Sequence, residues 1–371
     1  MPDPWEDRYS PELRHILADL APRLAPGGGD PPPLRPDPGE AREAWARRVA
    51  RARARADASA LQSGRLFDAE MGRVLGPDPM GLEDAPVEWA WQDVPVQGDV
   101  IQMRLYRPAA RSRPDAAGAG VGTPPATALT DSAAPDAPPL LPAVLVVHGG
   151  GYWMGGGAAG FELNDALCRK LAGGVGALVA DIDHRLAPEH PFPAPADDVF
   201  SAFRWIVGHA ADLGVDPRRI AVMGMSSGAN LAAAAAQRSL DDGPIPVRAE
   251  VLQCPSLDLT TGSSRFGPEA TEADITGARA MVAAYAGEAD PADPALSPGL
   301  RPDLSGVPET LLIGAEFDLL LGDARAYARR LEEAGVPVTL RVLPMTHVLA
   351  DPVDFRAMHD GTVAWLRKVL A

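Results

Sequence analysis

From residue 87 onward the chain alternates short apolar runs with amphipathic stretches. The runs at 87–94, 100–107, 143–147, 177–181, 220–223, 249–253, 310–313 and 338–343 read as eight strands. Helical spacing of apolar positions marks 162–171, 196–210, 227–240, 323–334 and 355–370. Strands that are apolar at nearly every position are buried on both faces. Alternating with helices, they predict an α/β fold with a mostly parallel sheet covered by helices on both sides. The first two strands are joined by Gln97-Gly98-Asp99, which predicts an antiparallel hairpin at one edge.

Three segments depart from this rhythm. Residues 1–38 are rich in proline and glycine and carry one short helix, at 11–20. A longer helix at 40–75 is rich in alanine and made basic by Arg42, Arg47, Arg48, Arg51, Arg53 and Arg55. A charge run of this kind predicts a solvated face. Residues 108–139 are almost all Ala, Pro, Gly, Asp, Ser and Thr. They bury too little to offset their ordering entropy, so a surface loop without fixed structure is expected. Residues 256–298 separate two core strands and include a helix at 275–286. An insertion there, beyond the carboxyl ends of the strands, is placed to cover a site.

Composition narrows the partners. The 371 residues carry a formal net charge of −16, which argues against nucleic acid and anionic membrane surfaces. No apolar run reaches membrane-spanning length, so no membrane insertion is expected. The opening Met1-Pro2-Asp3-Pro4-Trp5-Glu6-Asp7 lacks a basic stretch followed by an apolar one, so a cytoplasmic location is expected. The two cysteines, Cys168 and Cys254, read as buried free thiols in a reducing compartment.

The chemistry enters at two strand ends. His148-Gly149-Gly150-Gly151 follows the strand at 143–147, and Tyr152-Trp153-Met154-Gly155-Gly156 follows it. Gly224-Met225-Ser226-Ser227-Gly228 follows the strand at 220–223 and opens a helix. In a chain with 37 glycines the second pattern alone is weak. The two together, each at a strand end and in this order, read as an oxyanion-binding glycine loop and a nucleophile elbow. Ser226 is then a nucleophile for acyl transfer, and the backbone N–H groups of Gly150, Gly151 and Ser227 are the expected oxyanion donors. A serine hydroxyl needs a base. His347 follows the last strand, before the terminal helix, and the chain order serine, acid, histidine selects it. His15, His209 and His359 lie on or beside helices, His148 belongs to the glycine loop, and His184 and His190 flank a proline-rich turn. The orienting acid belongs in Gly314-Ala315-Glu316-Phe317-Asp318-Leu319-Leu320-Leu321-Gly322-Asp323. Asp318 is the choice, with Glu316 as the alternative nearer the strand. Asp323 reads as a helix N-cap and is the second alternative. Trp153, Met154, Met345 and Val348 flank these loops and are the candidate substrate-binding residues.

These motifs, with Arg185-Leu186-Ala187-Pro188-Glu189-His190-Pro191-Phe192-Pro193, Asp197-Asp198 and Met345-Thr346-His347, make the chain similar to the bacterial hormone-sensitive-lipase-like (family IV) esterases from about residue 94 to its end. The resemblance implies an α/β-hydrolase fold with a helical cap, a triad of Ser226, Asp318 and His347, and an oxyanion hole from Gly150, Gly151 and Ser227. It implies hydrolysis of short- to medium-chain acyl esters with no cofactor and no metal. The expected organisation is an N-terminal helical cap region at 1–85 and a catalytic domain at 86–371, with 256–298 as a cap insertion. The chain departs from the family at Met225, Ser227-Gly228-Ala229, His184, Leu319 and Val348-Leu349. None of these removes a catalytic group.

Two other readings compete. A deacetylase or amidase would use the same triad on a different leaving group. A non-catalytic small-molecule receptor could share the fold, and receptors similar to this family tend to lose the catalytic histidine, which is present here. The partner expected is a small-molecule ester, and assembly as a homodimer is left open.

Overall fold

The computed structural model describes residues 5–20, 35–82, 86–109, 139–242, 245–260 and 270–371. The loop expected at 108–139 lies outside the described residues over 110–138, as do 261–269 of the 256–298 insertion.

One sheet organises the rest. Its strands are β1 (Val87–Val96), β2 (Asp99–Pro108), β3 (Leu141–Val147), β4 (Leu178–Asp183), β5 (Val215–Met225), β6 (Ala249–Gln253), β7 (Glu309–Phe317) and β8 (Val338–Thr346). They lie in the order β1-β2-β4-β3-β5-β6-β7-β8. β1 pairs with β2 and β2 with β4 antiparallel, and every pair from β4 to β8 is parallel. This is the expected α/β-hydrolase sheet with its hairpin at one edge. The strand expected at 220–223 starts earlier, at Val215, because the charged Asp216, Arg218 and Arg219 hide its opening from hydrophobic patterning. β7 and β8 run beyond their predicted ends, to Phe317 and Thr346, so Glu316 is a strand residue.

The helices are α1 (Pro11–Leu20), α2 (Arg42–Leu75), α3 (Gly157–Leu171), α4 (Ala194–Gly208), α5 (Ala210–Leu213), α6 (Ser227–Asp241), α7 (Glu272–Ala286), α8 (Leu321–Glu333) and α9 (Pro352–Val369). Strand alternation sends Ala143, Leu145 and Val147 of β3 to one face, where they pack with Phe203 of α4, Leu231 of α6 and Leu331 of α8. Val144 and Val146 point the other way, onto Leu171 of α3 and Leu366 of α9. Residues 232–236 of α6 are all alanine, so that helix lies close against the sheet. Outside this sandwich, α2 sets Phe67 edge-on to Phe355 of α9, with ring centres 5.0 Å apart, and Tyr9, just before α1, lies edge-on to Phe317 at 4.8 Å.

Among the described residues, two carboxyls on strands are buried in the sheet. Glu250 of β6 is fully buried, with Oε1 accepting from Thr310 Oγ1 at 2.9 Å and from Tyr327 OH at 3.4 Å. Burial pushes its pKa up to about 8. Asp181 of β4 accepts from Asn164 Nδ2 at 2.9 Å and is pushed up to about 7, again by burial. A carboxyl with a raised folded-state pKa keeps its proton after the unfolded chain has released its own. Stability from Glu250 is therefore present at pH 4.5 and is lost as pH rises toward 8. Glu250→Gln should flatten the fall of unfolding free energy across that window by at most about 1.4 kcal/mol per pH unit, leaving a residual slope from Asp181. Urea unfolding of both proteins between those pH limits measures it, and parallel slopes would contradict a protonated Glu250.

Candidate active site

Five adjacent strands end on one edge of the sheet, and each gives way to a residue with chemical potential. β3 runs into His148, β5 into Ser226, β6 into Cys254, β7 into Asp318 and β8 into His347. The carboxyl ends of parallel strands are where an open α/β sheet leaves a crevice.

Ser226 sits in the turn between β5 and α6 with φ 56° and ψ −119°. An L-residue there costs about 1–3 kcal/mol, so the surroundings must enforce it. The Ser226 N–H donates to Gln253 O at 2.9 Å, and its carbonyl accepts from Ala229 and Asn230 N–H at 3.1 and 3.2 Å. Asn230 Nδ2 donates to Ser256 O and Leu296 O, both at 2.8 Å, tying α6 to the segments beyond β6. A side chain at Gly224 would collide with the Gly228 carbonyl, and one at Gly228 with the carbonyls of Val147 and His148. Only glycine at both positions lets β5, α6 and the end of β3 meet this closely.

His347 joins two of its predicted partners. Its Nε2 lies 3.0 Å from Ser226 Oγ, and its Nδ1 lies 2.7 Å from Asp318 Oδ2. Asp318 is nearly buried, whereas His347 is about one-third exposed (6% and 34% of the side chain). The acid is thus shielded while the imidazole edge toward Ser226 is reachable. The Leu320 N–H donates to the other Asp318 oxygen at 3.1 Å. Burial alone would depress the His347 pKa, but the Asp318 carboxylate and the nearby Cys254 sulfur outweigh it and hold it above its ordinary value.

The alternatives for the acid are occupied elsewhere. Glu316 pairs with Arg8 at 3.0 Å. Asp323 is not an N-cap, because α8 begins at Leu321 with Leu320 in that place. It lies in the first turn instead, where its carboxylate accepts the N–H groups of Leu257 and Asp258 at 2.8 and 3.1 Å. Among the other histidines, His148 and His184 stack face to face, with ring centres 4.2 Å apart. Burial lowers both pKa values, His148 to about 3, with His184 adding to the shift. The His148 Nδ1–H donates to Gly149 O at 2.7 Å, so this ring braces the glycine loop from behind.

The loop turns tightly. Gly150 has φ 122°, and its carbonyl accepts from both Trp153 and Met154 N–H at 3.2 and 3.1 Å. A side chain at Gly150 would strike the Met154 carbonyl. Among the described residues, the N–H groups of Gly150 and Gly151 have no backbone acceptor. The N–H of Ser227 opens α6, where a helix leaves its first donors free. Three donors thus remain beside Ser226, where an anion could be held.

The candidate substrate-binding residues separate. Trp153 and Met154 cluster with Ala52 and Ala56 of α2 and Met281 of α7. Val348 is exposed on the turn after His347. Met345 is buried on the α9 side of the sheet with Ala350 and Met358, so it packs core. Sequence reasoning missed four neighbours. Met281 lies directly over Gly151. Cys254, at φ 44°, brings its sulfur within 4.8 Å of a ring nitrogen of His347 and a carboxylate oxygen of Asp318. Both cysteines are buried and free, as expected. Arg53 and Asp57 of α2 reach the glycine loop itself. For Arg53 the expected solvated face is overturned, because its guanidinium is spent on the body of the protein. An arginine run gives no sign of which member turns inward.

Residues 144–350 match the family model described as alpha/beta hydrolase fold. Esterase LipI of Mycobacterium tuberculosis is 38% identical over 201 residues, which are 53% of this chain and 62% of LipI. Carboxylesterase NlhH of the same organism is 40% identical over 244 residues, 62% of this chain and 75% of NlhH. A solved structure of a hyperthermophilic esterase from the archaeon Pyrobaculum calidifontis superposes with a TM-score of 0.71 at 28% identity, covering 98% of this chain and 99% of that one.

The His347 environment can be tested without substrate. Its imidazole should titrate above 6.5 in the wild type. Asp318→Asn removes the main charge that favours the protonated ring and leaves the burial, so the pKa should fall below that of the wild type. Histidine-detected NMR titration measures both, and an unchanged value would detach Asp318 from His347.

Proposed function

The chain belongs to the alpha/beta hydrolase fold family, and from that membership and its hormone-sensitive-lipase-like motifs we propose that it is a serine carboxylesterase for short- to medium-chain acyl esters. The observation that carries the reading is the unbroken hydrogen-bonded line Asp318–His347–Ser226 beside three free N–H donors. The names of the relatives, esterase and carboxylesterase, support the same class.

In this reading Ser226 Oγ attacks the ester carbonyl while His347 Nε2 takes its proton. Asp318 fixes the tautomer that leaves Nε2 free and stabilises the imidazolium that forms. The N–H groups of Gly150, Gly151 and Ser227 receive the negative charge of the tetrahedral adduct, each such donor contributing roughly 3–4 kcal/mol to the transition state. His347 then returns its proton to the leaving alcohol. A water molecule, deprotonated by the same ring, releases the acid from Ser226. All of this uses side chains and backbone of the chain itself.

The helices outside the sandwich act as a cap in this proposal. α1 and α2, with α7 from the insertion, close the cleft over the glycine loop. Trp153, Met154 and Met281, against Ala52 and Ala56, form the apolar wall that limits acyl length. Among the described residues no helix is long and apolar enough to cross a membrane. The buried free thiols fit the proposed cytoplasmic location.

Ser226→Ala and His347→Ala should each lower kcat on p-nitrophenyl butyrate by several orders of magnitude while the protein stays folded. Asp318→Asn should cost up to roughly 10⁴-fold. Retention of more than about a tenth of wild-type kcat in either of the first two would remove the assignment.

Two further outcomes follow for the wild type. The base must be neutral, so kcat/KM should rise with pH, and the raised His347 pKa puts the midpoint above 6.5. Acetate, butyrate and octanoate esters should be hydrolysed faster than palmitate, and EDTA should change nothing. Activity lost to EDTA and restored by a divalent metal would indicate other chemistry.

A further inference from the structure

Helix α2 carries two side chains that do more than dock it. Arg53 spends its whole guanidinium on two loops. Its Nε donates to Trp153 O at 2.6 Å, and Nη2 donates to Ala187 O at 2.9 Å. Nη1 and Nη2 form a two-point pair with Glu189 at 3.0 and 2.6 Å. Both partners of this pair are about four-fifths buried (19% and 22% exposed). A bidentate pair of this kind is stronger and more directional than a point contact. One turn further along α2, Asp57 Oδ1 accepts from Gly155 N–H at 2.8 Å. The two loops are also joined to each other, since Ala187 N–H donates to Tyr152 O at 3.0 Å.

These contacts fall on the return limb of the glycine loop. Trp153 and Met154 bond back to the Gly150 carbonyl, so fixing the Trp153 carbonyl and the Gly155 N–H fixes the plane of the Gly150 peptide. A Cβ on Gly155 would stand only 2.6 Å from the Gly149 carbonyl, so the two limbs of the loop touch and move together. Gly149 in turn lies against Ser226. An unbroken chain of contacts thus runs from α2 to the donors beside the nucleophile.

We propose that Arg53 and Asp57 are positioning residues for acyl transfer, and that α2 holds the oxyanion-binding loop in register with Ser226 besides covering the cleft. The inference rests on the esterase reading above. It assigns α2 a part in the rate, where a cover alone would act on access and selectivity. A shift of about 1 Å in a catalytic group is enough to lose on the order of 10²-fold. The loss falls on the transition state, because the loop donors meet full negative charge only there.

The test compares four variants of the full-length protein on p-nitrophenyl butyrate. Arg53→Ala and Asp57→Ala should each lower kcat by about 10- to 100-fold with KM changed little. Asp57→Asn keeps an oxygen that accepts from Gly155 N–H and should recover most of the loss. Phe67→Ala is the control. It loosens α2 at its contact with Phe355, far along the helix from the loop, and should lower Tm while kcat stays near wild type. Affinity for an aryl trifluoromethyl ketone provides the second readout. Addition of Ser226 Oγ to that ketone makes a tetrahedral oxyanion, with the serine proton passing to His347. Its inhibition constant should rise in step with the fall in kcat. If Arg53→Ala does not fold, Arg53→Lys keeps the charge but not the two-point fork, and should show the same signature in weaker form. Wild-type kcat in Arg53→Ala and Asp57→Ala, or an equal kcat loss in Phe67→Ala, would overturn the proposal. A wild-type protein with no esterase activity would instead overturn the functional reading.

Discussion

The close meeting of three backbones, at the end of β3, at the end of β5 and in the first turn of α6, is the constraint on which the site depends. There is no room for a side chain at Gly224 or Gly228, because the carbonyls of Val147, His148 and Gly228 already fill the space. That contact sets the separation between Ser226 and the loop that begins at His148. The strained backbone at Ser226 follows from it, since a relaxed turn would carry the serine away from the crevice. The alanines of α6 extend the same logic along the helix, letting it lie flat on the sheet behind Ser226. His347 and Asp318 come from strands farther along and find Ser226 already aimed.

Much of this was legible in the sequence, for a physical reason. A strand buried on both faces is mostly apolar, so β3 stands out as the run Ala143 to Val147, while β4 and β6 each keep short apolar stretches around a buried carboxyl, Asp181 and Glu250. Turns that need glycine announce themselves, and both glycine motifs fell at strand ends as read. The order Ser226, Asp318, His347 carried the remaining choice, and the structure brings those three into one hydrogen-bonded line. The errors also have causes. β5 begins among charged residues because its opening lies near the rim of the sheet, where burial no longer dictates composition. Asp323 resembled an N-cap because local pattern does not reveal a backbone from another segment, that of Leu257 and Asp258, waiting for its carboxylate.

Arg53, Asp57, Met281 and Cys254 were illegible for one shared reason. Each matters through a partner distant in the chain: Arg53 through Trp153, Ala187 and Glu189, Asp57 through Gly155, Met281 through Gly151, and Cys254 through His347. In sequence, Arg53 is one arginine among several, and its neighbour Arg47 is in fact largely exposed. Tertiary placement separates the two, and periodicity carries no such information. Met345 erred in the other direction. Closeness to His347 in the chain suggested a pocket residue, but Met345 is still within β8 and packs into the core with Ala350 and Met358, whereas His347 lies on the turn beyond the strand.

The seat of α2 has a consequence for the order in which the molecule is made. The helix is translated before the surfaces that hold it, which are α3, the loops around Trp153 and Glu189 and, through Phe67 against Phe355, α9. The Phe67 end also meets α3, through Gly64 against Leu163 and the Arg65–Glu162 pair, but its seat is complete only once α9 has packed on the sheet. A helix made before the elements that hold it is thus among the last to find its place. Its alanine- and arginine-rich composition, with few large apolar side chains, suits a helix that must wait in water without sticking to its neighbours.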